Sequence, residues 1–178
     1  MDLEHLKYPI GKFHFPDKID ESKIRDWISD IENLPKLVQD IVKDLSIKEL
    51  NLPYRPEGWC IKQVVHHLGD SHMNAFIRFK LALTEDAPII KPYREDLWVN
   101  LEDGTDDNIS DSLTLLKSLH SKWSKLLRTL SKDDLKRVYI HPEHGKRFQL
   151  DEAIGMYAWH SKHHLAHIKQ AIKFEGSF

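Results

Sequence analysis

The sequence predicts an all-α protein: a four-helix bundle with an extended N-terminal arm and long loops between helices. Three observations carry that expectation. Apolar residues recur at helical spacing in four long stretches, no comparable stretch alternates as a strand does, and prolines and acids gather between the periodic stretches. A chain of 178 residues suits one domain, residues 1–178, with enough interior for a substantial core.

Residues 1–19, with Tyr8-Pro9-Ile10-Gly11-Lys12-Phe13 and Phe15-Pro16, read as an extended arm packed on the domain by its aromatics. From Asp20 a helical face appears in Ile24, Trp27, Ile28 and Ile31, and it resumes in Leu37, Val38, Ile41, Val42 and Leu45. Pro35 falls between the two, so the first helix, over about 20–45, is expected to kink or break near Asn33 to Pro35. Asn51-Leu52-Pro53-Tyr54-Arg55-Pro56-Glu57-Gly58 is a turn stiffened by its prolines. It delivers Trp59 and Cys60 to a second helix over about 60–84, whose buried face is Ile61, Val64, Val65, Leu68, Ala75, Phe76 and Phe79. Residues 84–108 carry Pro88, Pro92 and several acids and read as a long loop across one end of the bundle.

A third helix is expected over about 109–130, with Leu113, Leu116, Leu119, Trp123, Leu126, Leu127 and Leu130 at helical spacing. Val138-Tyr139-Ile140, a turn at Pro142 to Gly145, and Phe148 suggest a short hairpin. The fourth helix, about 151–174, is expected to be capped by Asp151 with Glu152 in its first turn.

Composition excludes several classes of function. A formal charge of −2 offers no general attraction for nucleic acid or anionic membranes. No apolar run approaches the roughly 18 residues of a membrane span, and charges interrupt Met1 to Lys7 where a signal peptide would be apolar. The single cysteine, Cys60, excludes an internal disulfide and suits a reducing compartment, so a cytoplasmic location is expected. Twelve histidines against seven glycines is the unusual figure.

Two of those histidines carry the chemistry. His160 and His164 are four apart on the last helix, which places them ~6 Å along the axis and only ~40° apart around it. Two imidazoles so placed form a common half of a zinc or nickel site, and also occur as ordinary polar residues of a helix. A third ligand has to come from elsewhere, and His67 on the second helix is the best candidate. Asp70, three residues on from His67, is near the same face and can orient an imidazole or accept a substrate proton; a solvated carboxylate is the plainer reading. His66 and His163 point ~100° away from their neighbours and are left out of the site. His167 is a fourth ligand, a hydrogen-bonding neighbour or an interior histidine, and the last two are favoured.

Other motifs are weaker. Ser161 stands where the H-E-x-x-H glutamate of metalloproteases would be, which argues against a peptidase of that kind. Cys60 at a helix start is a conceivable nucleophile but more often a small packed side chain. Leu101 to Asp106 misses the ligand positions of a calcium loop. Trp59, Trp123 and Trp159 read as core or pocket-wall aromatics. Arg55, Arg94 and Lys91 are loop cations that could contact the polar head of a thiol cofactor, and surface solvation is the preferred reading of them.

With these residues assembled, Trp59-x7-His67-Leu68-x-Asp70 followed by His160-x3-His164 resembles the DinB-like superfamily. Tyr8 to Phe13, Tyr54-Arg55-Pro56 and Trp59 to Asp70 are similar to its YfiT branch of metal-dependent hydrolases. The resemblance covers nearly the whole chain, with the motifs in order. It implies a four-helix bundle holding one divalent ion per chain, Zn2+ or Ni2+, through His67, His160 and His164, and a homodimer. It also implies a small-molecule substrate, with relatives that transfer low-molecular-weight thiols. His167 stands where many relatives have glutamine. Three functions follow: a hydrolase in which the ion activates water, a thiol S-transferase in which it binds a thiolate, and a non-catalytic metal-binding protein. The first is preferred on the branch, while the chemistry of the ligands serves the first two alike.

Overall fold

Four long helices pack so that each touches two of the others. The computed structural model describes residues 2–143 and 145–178; Met1 lies outside them, as does His144 within the turn expected at Pro142 to Gly145. In chain order the described elements are α1 (Leu3–Lys7), α2 (Glu21–Val42), α3 (Ile47–Leu50), α4 (Ile61–Thr84), α5 (Glu95–Trp98), α6 (Glu102–Thr105), α7 (Ser110–Arg128), α8 (Lys132–Leu135), β1 (Val138–His141), β2 (Lys146–Gln149) and α9 (Leu150–Phe174). Helix α2 packs on α7 and α9, and α4 packs on the same two. Successive long helices α2 and α4 therefore face each other across the bundle, which the long connections allow. No described helix is long and apolar enough to cross a membrane.

The interior has two apolar clusters. One contains Ile28, Ile31, Phe79, Trp123, Ile154 and Tyr157; the other contains Leu34, Val38, Val65, Leu68, Leu116 and Ile168. Between them, along each of three helices, sits histidine. His72 lies between Leu68 and Ala75 on α4, His120 between Leu116 and Trp123 on α7, and His160 between Ala158 and Leu165 on α9. A polar layer thus crosses the waist of the bundle, where burial makes every hydrogen bond obligatory.

The expected elements are present with four corrections. Helix α2 runs unbroken through Pro35, because the one carbonyl that proline deprives of a donor, that of Ile31, is met by His120 Nδ1 at 2.6 Å. The arm is not extended throughout: Asp2 accepts a hydrogen bond from Glu4 N and caps the short α1, which buries Leu6. The cap of α9 is Gln149, whose N–H donates to Glu152 Oε2 at 3.2 Å; Asp151 lies inside the helix, buried and paired with Lys136. The 84–108 connection holds α5 and α6 and is pinned to the hairpin, Ile90 N donating to Ile140 O and Ile140 N to Pro88 O.

The hairpin forms as expected, with Tyr139 opposite Phe148. Close approach of α2 to α9 depends on Gly155, where a Cβ would come within 2.7 Å of the Trp27 ring. That contact fixes the height of α9, and with it the histidines one and two turns further on.

Candidate metal centre

His67 from α4 and His160 and His164 from α9 converge. Their ring nitrogens that can bind an ion all lie within 4.8 Å of one another, and the His160 and His164 ring centroids are 4.4 Å apart. Nitrogens ~2.1 Å from one tetrahedral ion sit roughly 3.4 Å apart, so small ring rotations close the group. Burial pushes His67 down to about 4 and, with the neighbouring histidines, holds His160 and His164 well below the ordinary histidine range. All three are therefore neutral at pH 7, the state in which imidazole donates a lone pair. The donor set fits zinc or nickel.

The centre opens into a cavity of about 610 Å³. Its wall near the histidines is Trp59, whose ring centroid is 4.8 Å from that of His67. The turn before α4 positions that ring: Gly58 N donates to Arg55 O with Pro56 and a left-handed Glu57 between, as in a type II turn, and Tyr54 N donates to Trp59 O. Further out the cavity is lined by Tyr139 and Phe148 of the hairpin and by Trp159.

His167 is engaged on both nitrogens. Nε2 is 3.0 Å from Lys7 O, Nδ1 is 3.4 Å from His164 Nδ1, and the ring stacks on Tyr54 at 3.8 Å. It is a hydrogen-bonding neighbour of His164 and lies outside the group of three. His163 also lines the cavity, stacked on Trp159 at 4.5 Å. His66 points elsewhere, to Ser112 Oγ at 2.7 Å and Asp106 O at 3.0 Å.

Asp70, expected beside His67, lines a second cavity with His66, Asp103, Asp106 and Asp111. It is one full turn from His66, and the 60° that separate it from His67 are enough to turn it out of the first cavity. Burial and the nearby Asp103 raise its carboxyl to about 6. Cys60 is absent from the lining of either cavity. Among the loop cations, Arg55 lines the first cavity, Arg94 pairs with Asp96, and Lys91 lines neither.

Two histidines that the sequence reading passed over join the centre. His72 Nε2 is 3.0 Å from His160 Nδ1, and His72 Nδ1 is 2.8 Å from His120 Nε2. The available signal was their position in the apolar stripes of α4 and α7, where a polar residue needs a buried partner.

This architecture defines a class. Residues 30–168 match the DinB superfamily, and the chain belongs to it. It is 50% identical over 167 residues, 94% of this chain and 96% of the other, to a protein of Oceanobacillus iheyensis named "putative metal-dependent hydrolase". A Bacillus cereus protein of the same name is 49% identical over 166 residues, covering 93% and 95% of the two chains. The solved structure of YfiT from Bacillus subtilis, described as "a probable metal-dependent hydrolase with an unusual four-helix bundle topology", superposes with a TM-score of 0.93 at 43% identity, over 97% of this chain and 98% of its own. The family and fold implied by the sequence motifs are thus established.

Proposed function

We propose that the protein is a metal-dependent hydrolase of a small, anionic substrate, with one divalent ion held by His67, His160 and His164. The observation that carries this reading is three neutral imidazoles from two packed helices, His67 and His164 buried and His160 half-buried, lining a cavity of about 610 Å³. The names of the relatives support it. Such an ion supplies Lewis acidity, polarising a carbonyl and making water a nucleophile near neutral pH. Three ligands leave a position for water or substrate, since His167 is committed to Lys7 and His164.

The other wall residues bind and orient. Arg55 and Arg78 both line the cavity, neither forms an ion pair among the described residues, and the Nε of each is buried without a hydrogen-bond partner. A half-buried guanidinium lacking a carboxylate partner suits a carboxylate or phosphate on the substrate. Arg78 is aimed by its hydrogen bond to Tyr157 Oη at 3.1 Å. Trp59 keeps bulk water from one side of the histidines.

A second reading, transfer of a low-molecular-weight thiol, uses the same ligands. It is favoured by the carboxylates: among the described residues Glu95 and Glu143 are those in the cavity lining, and both are exposed, so none of the described acids lining the cavity is buried and ready for a leaving group. Turnover of ester, amide and thiol-plus-electrophile panels decides, using protein stripped of metal and then reloaded with Zn2+ or Ni2+ separately. Metal-dependent ester or amide cleavage carries the hydrolase reading. Metal-dependent conjugation alone replaces it with the transferase, and inactivity throughout leaves a non-catalytic metal-binding protein.

A further inference from the structure

The waist of the bundle contains more histidine than three ligands require, and the extra residues form directed chains. The first begins at Pro35. Without an N–H, it leaves the carbonyl of Ile31 with no helical donor, and His120 Nδ1 stands 2.6 Å from that oxygen. A carbonyl only accepts, so His120 carries its hydrogen on Nδ1. His120 and His72 are 1% and 0% exposed, and a ring so buried is neutral, with one N–H and one lone pair. His120 Nε2 therefore accepts, and His72 Nδ1, 2.8 Å away, donates to it. His72 Nε2 then accepts from His160 Nδ1 at 3.0 Å. The remaining lone pair of His160 is on Nε2.

The second chain is shorter and starts from the arm. Lys7 O lies 3.0 Å from His167 Nε2, which must donate to it. His167 Nδ1 is left to accept from His164 Nδ1, at a long 3.4 Å, and the free lone pair of His164 is again on Nε2. Gln170 holds the arm in place for this, its Nε2 donating to both Leu6 O and Tyr54 O.

We infer that two backbone carbonyls, those of Ile31 and Lys7, set the tautomers of His160 and His164 so that each presents Nε2 to the ion. In this arrangement His72, His120 and His167 are positioning residues. The inference rests on the metal-centre reading above. What it adds is the source of the preorganisation: the ring nitrogens are chosen and aimed before any ion arrives, by an order of donors that a proline and a terminal arm begin. Loss of such an outer hydrogen bond typically costs about 10–100-fold in metal affinity.

The test has two arms. Long-range 1H–15N correlation spectra of metal-free, 15N-histidine-labelled protein report which nitrogen of each ring carries hydrogen. Nδ1–H on His120, His72, His160 and His164, with Nε2–H on His167, is expected; Nε2–H on His160 or His164 overturns the inference. In the second arm, Zn2+ affinity is measured by chelator competition on the wild type, His72→Phe and His72→Gln. Glutamine offers an oxygen to His160 and an amide to His120, so it should stay within about threefold of wild type while phenylalanine loses about 10–100-fold. Equal affinity of all three contradicts the inference and leaves the metal centre standing. Absence of Zn2+ binding by the wild type removes the metal centre itself, and with it any presentation to an ion. Should His72→Phe fail to fold, the spectra of the wild type still decide.

Discussion

The carbonyl of Ile31 takes its hydrogen bond from His120 Nδ1, 2.6 Å away, where the helical amide of residue 35 would sit were it not proline. A local defect of one helix is thereby satisfied from another, and the donor that satisfies it belongs to the histidine layer beneath the metal centre. Replacing His120 with Leu leaves both the Ile31 carbonyl and the His72 Nδ1–H unpaired in the core. At about 1–3 kcal/mol for each buried orphan, urea unfolding should register a loss of about 2–6 kcal/mol. A loss below about 1 kcal/mol means that water or a rearranged ring serves both groups.

The metal-free protein should lose stability steeply in mild acid. Burial lowers His67, His120 and His163 to about 4 and His167 to about 3, and lowers His72, His160 and His164 as well. In the unfolded chain these rings take up protons near 6.5, so between about 6.5 and 4 the unfolded state binds more protons than the folded state. Stability is then fully present above pH 6.5 and falls with pH through that window, at about 1.4 kcal/mol per pH unit for each proton of difference. Urea midpoints at pH 7.5, 6.5 and 5.5 should fall progressively faster; a flat profile means that the rings are already charged or solvated.

Asp70 has the opposite linkage. Its carboxyl, raised to about 6 from 3.8 by burial and Asp103, holds its proton more tightly in the folded state, so stability falls as pH rises through that range. Asp70→Asn should raise stability at pH 7.5, by no more than about 1 kcal/mol because the group is half exposed to screening solvent. It should have no such effect at pH 4. Zn2+ affinity should stay unchanged, because Asp70 lines the other cavity. A drop in affinity on this substitution would return Asp70 to the surroundings of His67.

Arg78 tests the substrate class. Arg78→Gln removes the cation and keeps a donor toward Tyr157. For an anionic ester or amide it should raise KM about tenfold or more, the order of one charge-assisted pair. A neutral analogue should be much less affected. Equal effects on both would show that Arg78 shapes the wall without reading charge.

Much of this was legible in the residues. Apolar stripes gave the long helices because each buries one face in a shared core, and four-residue spacing put His160 beside His164 without any tertiary information. What escaped the reading depends on partners distant in sequence. Pro35 reads as a break until His120, from another helix, supplies the donor its neighbour needs. Asp151 reads as a cap, but Lys136 claims its carboxylate and Gln149 takes the position. Asp70 sits close to His67 around the helix, yet a difference of 60° falls on the boundary between two cavities. His72 and His120 interrupt apolar stripes, and only the assembled bundle shows that each satisfies the other.

The central claim, one ion held by His67, His160 and His164, is tested most directly by metal content. Wild type, His67→Ala, His160→Ala and His164→Ala would be stripped, equilibrated with Zn2+ or Ni2+, dialysed and analysed by mass spectrometry for metal per chain, with circular dichroism as the check on folding. One equivalent in the wild type, and its loss in each helical variant, is the expected result. An equivalent retained when any of the three is alanine would contradict the assignment of that residue, and no equivalent in the wild type would contradict the site as a whole.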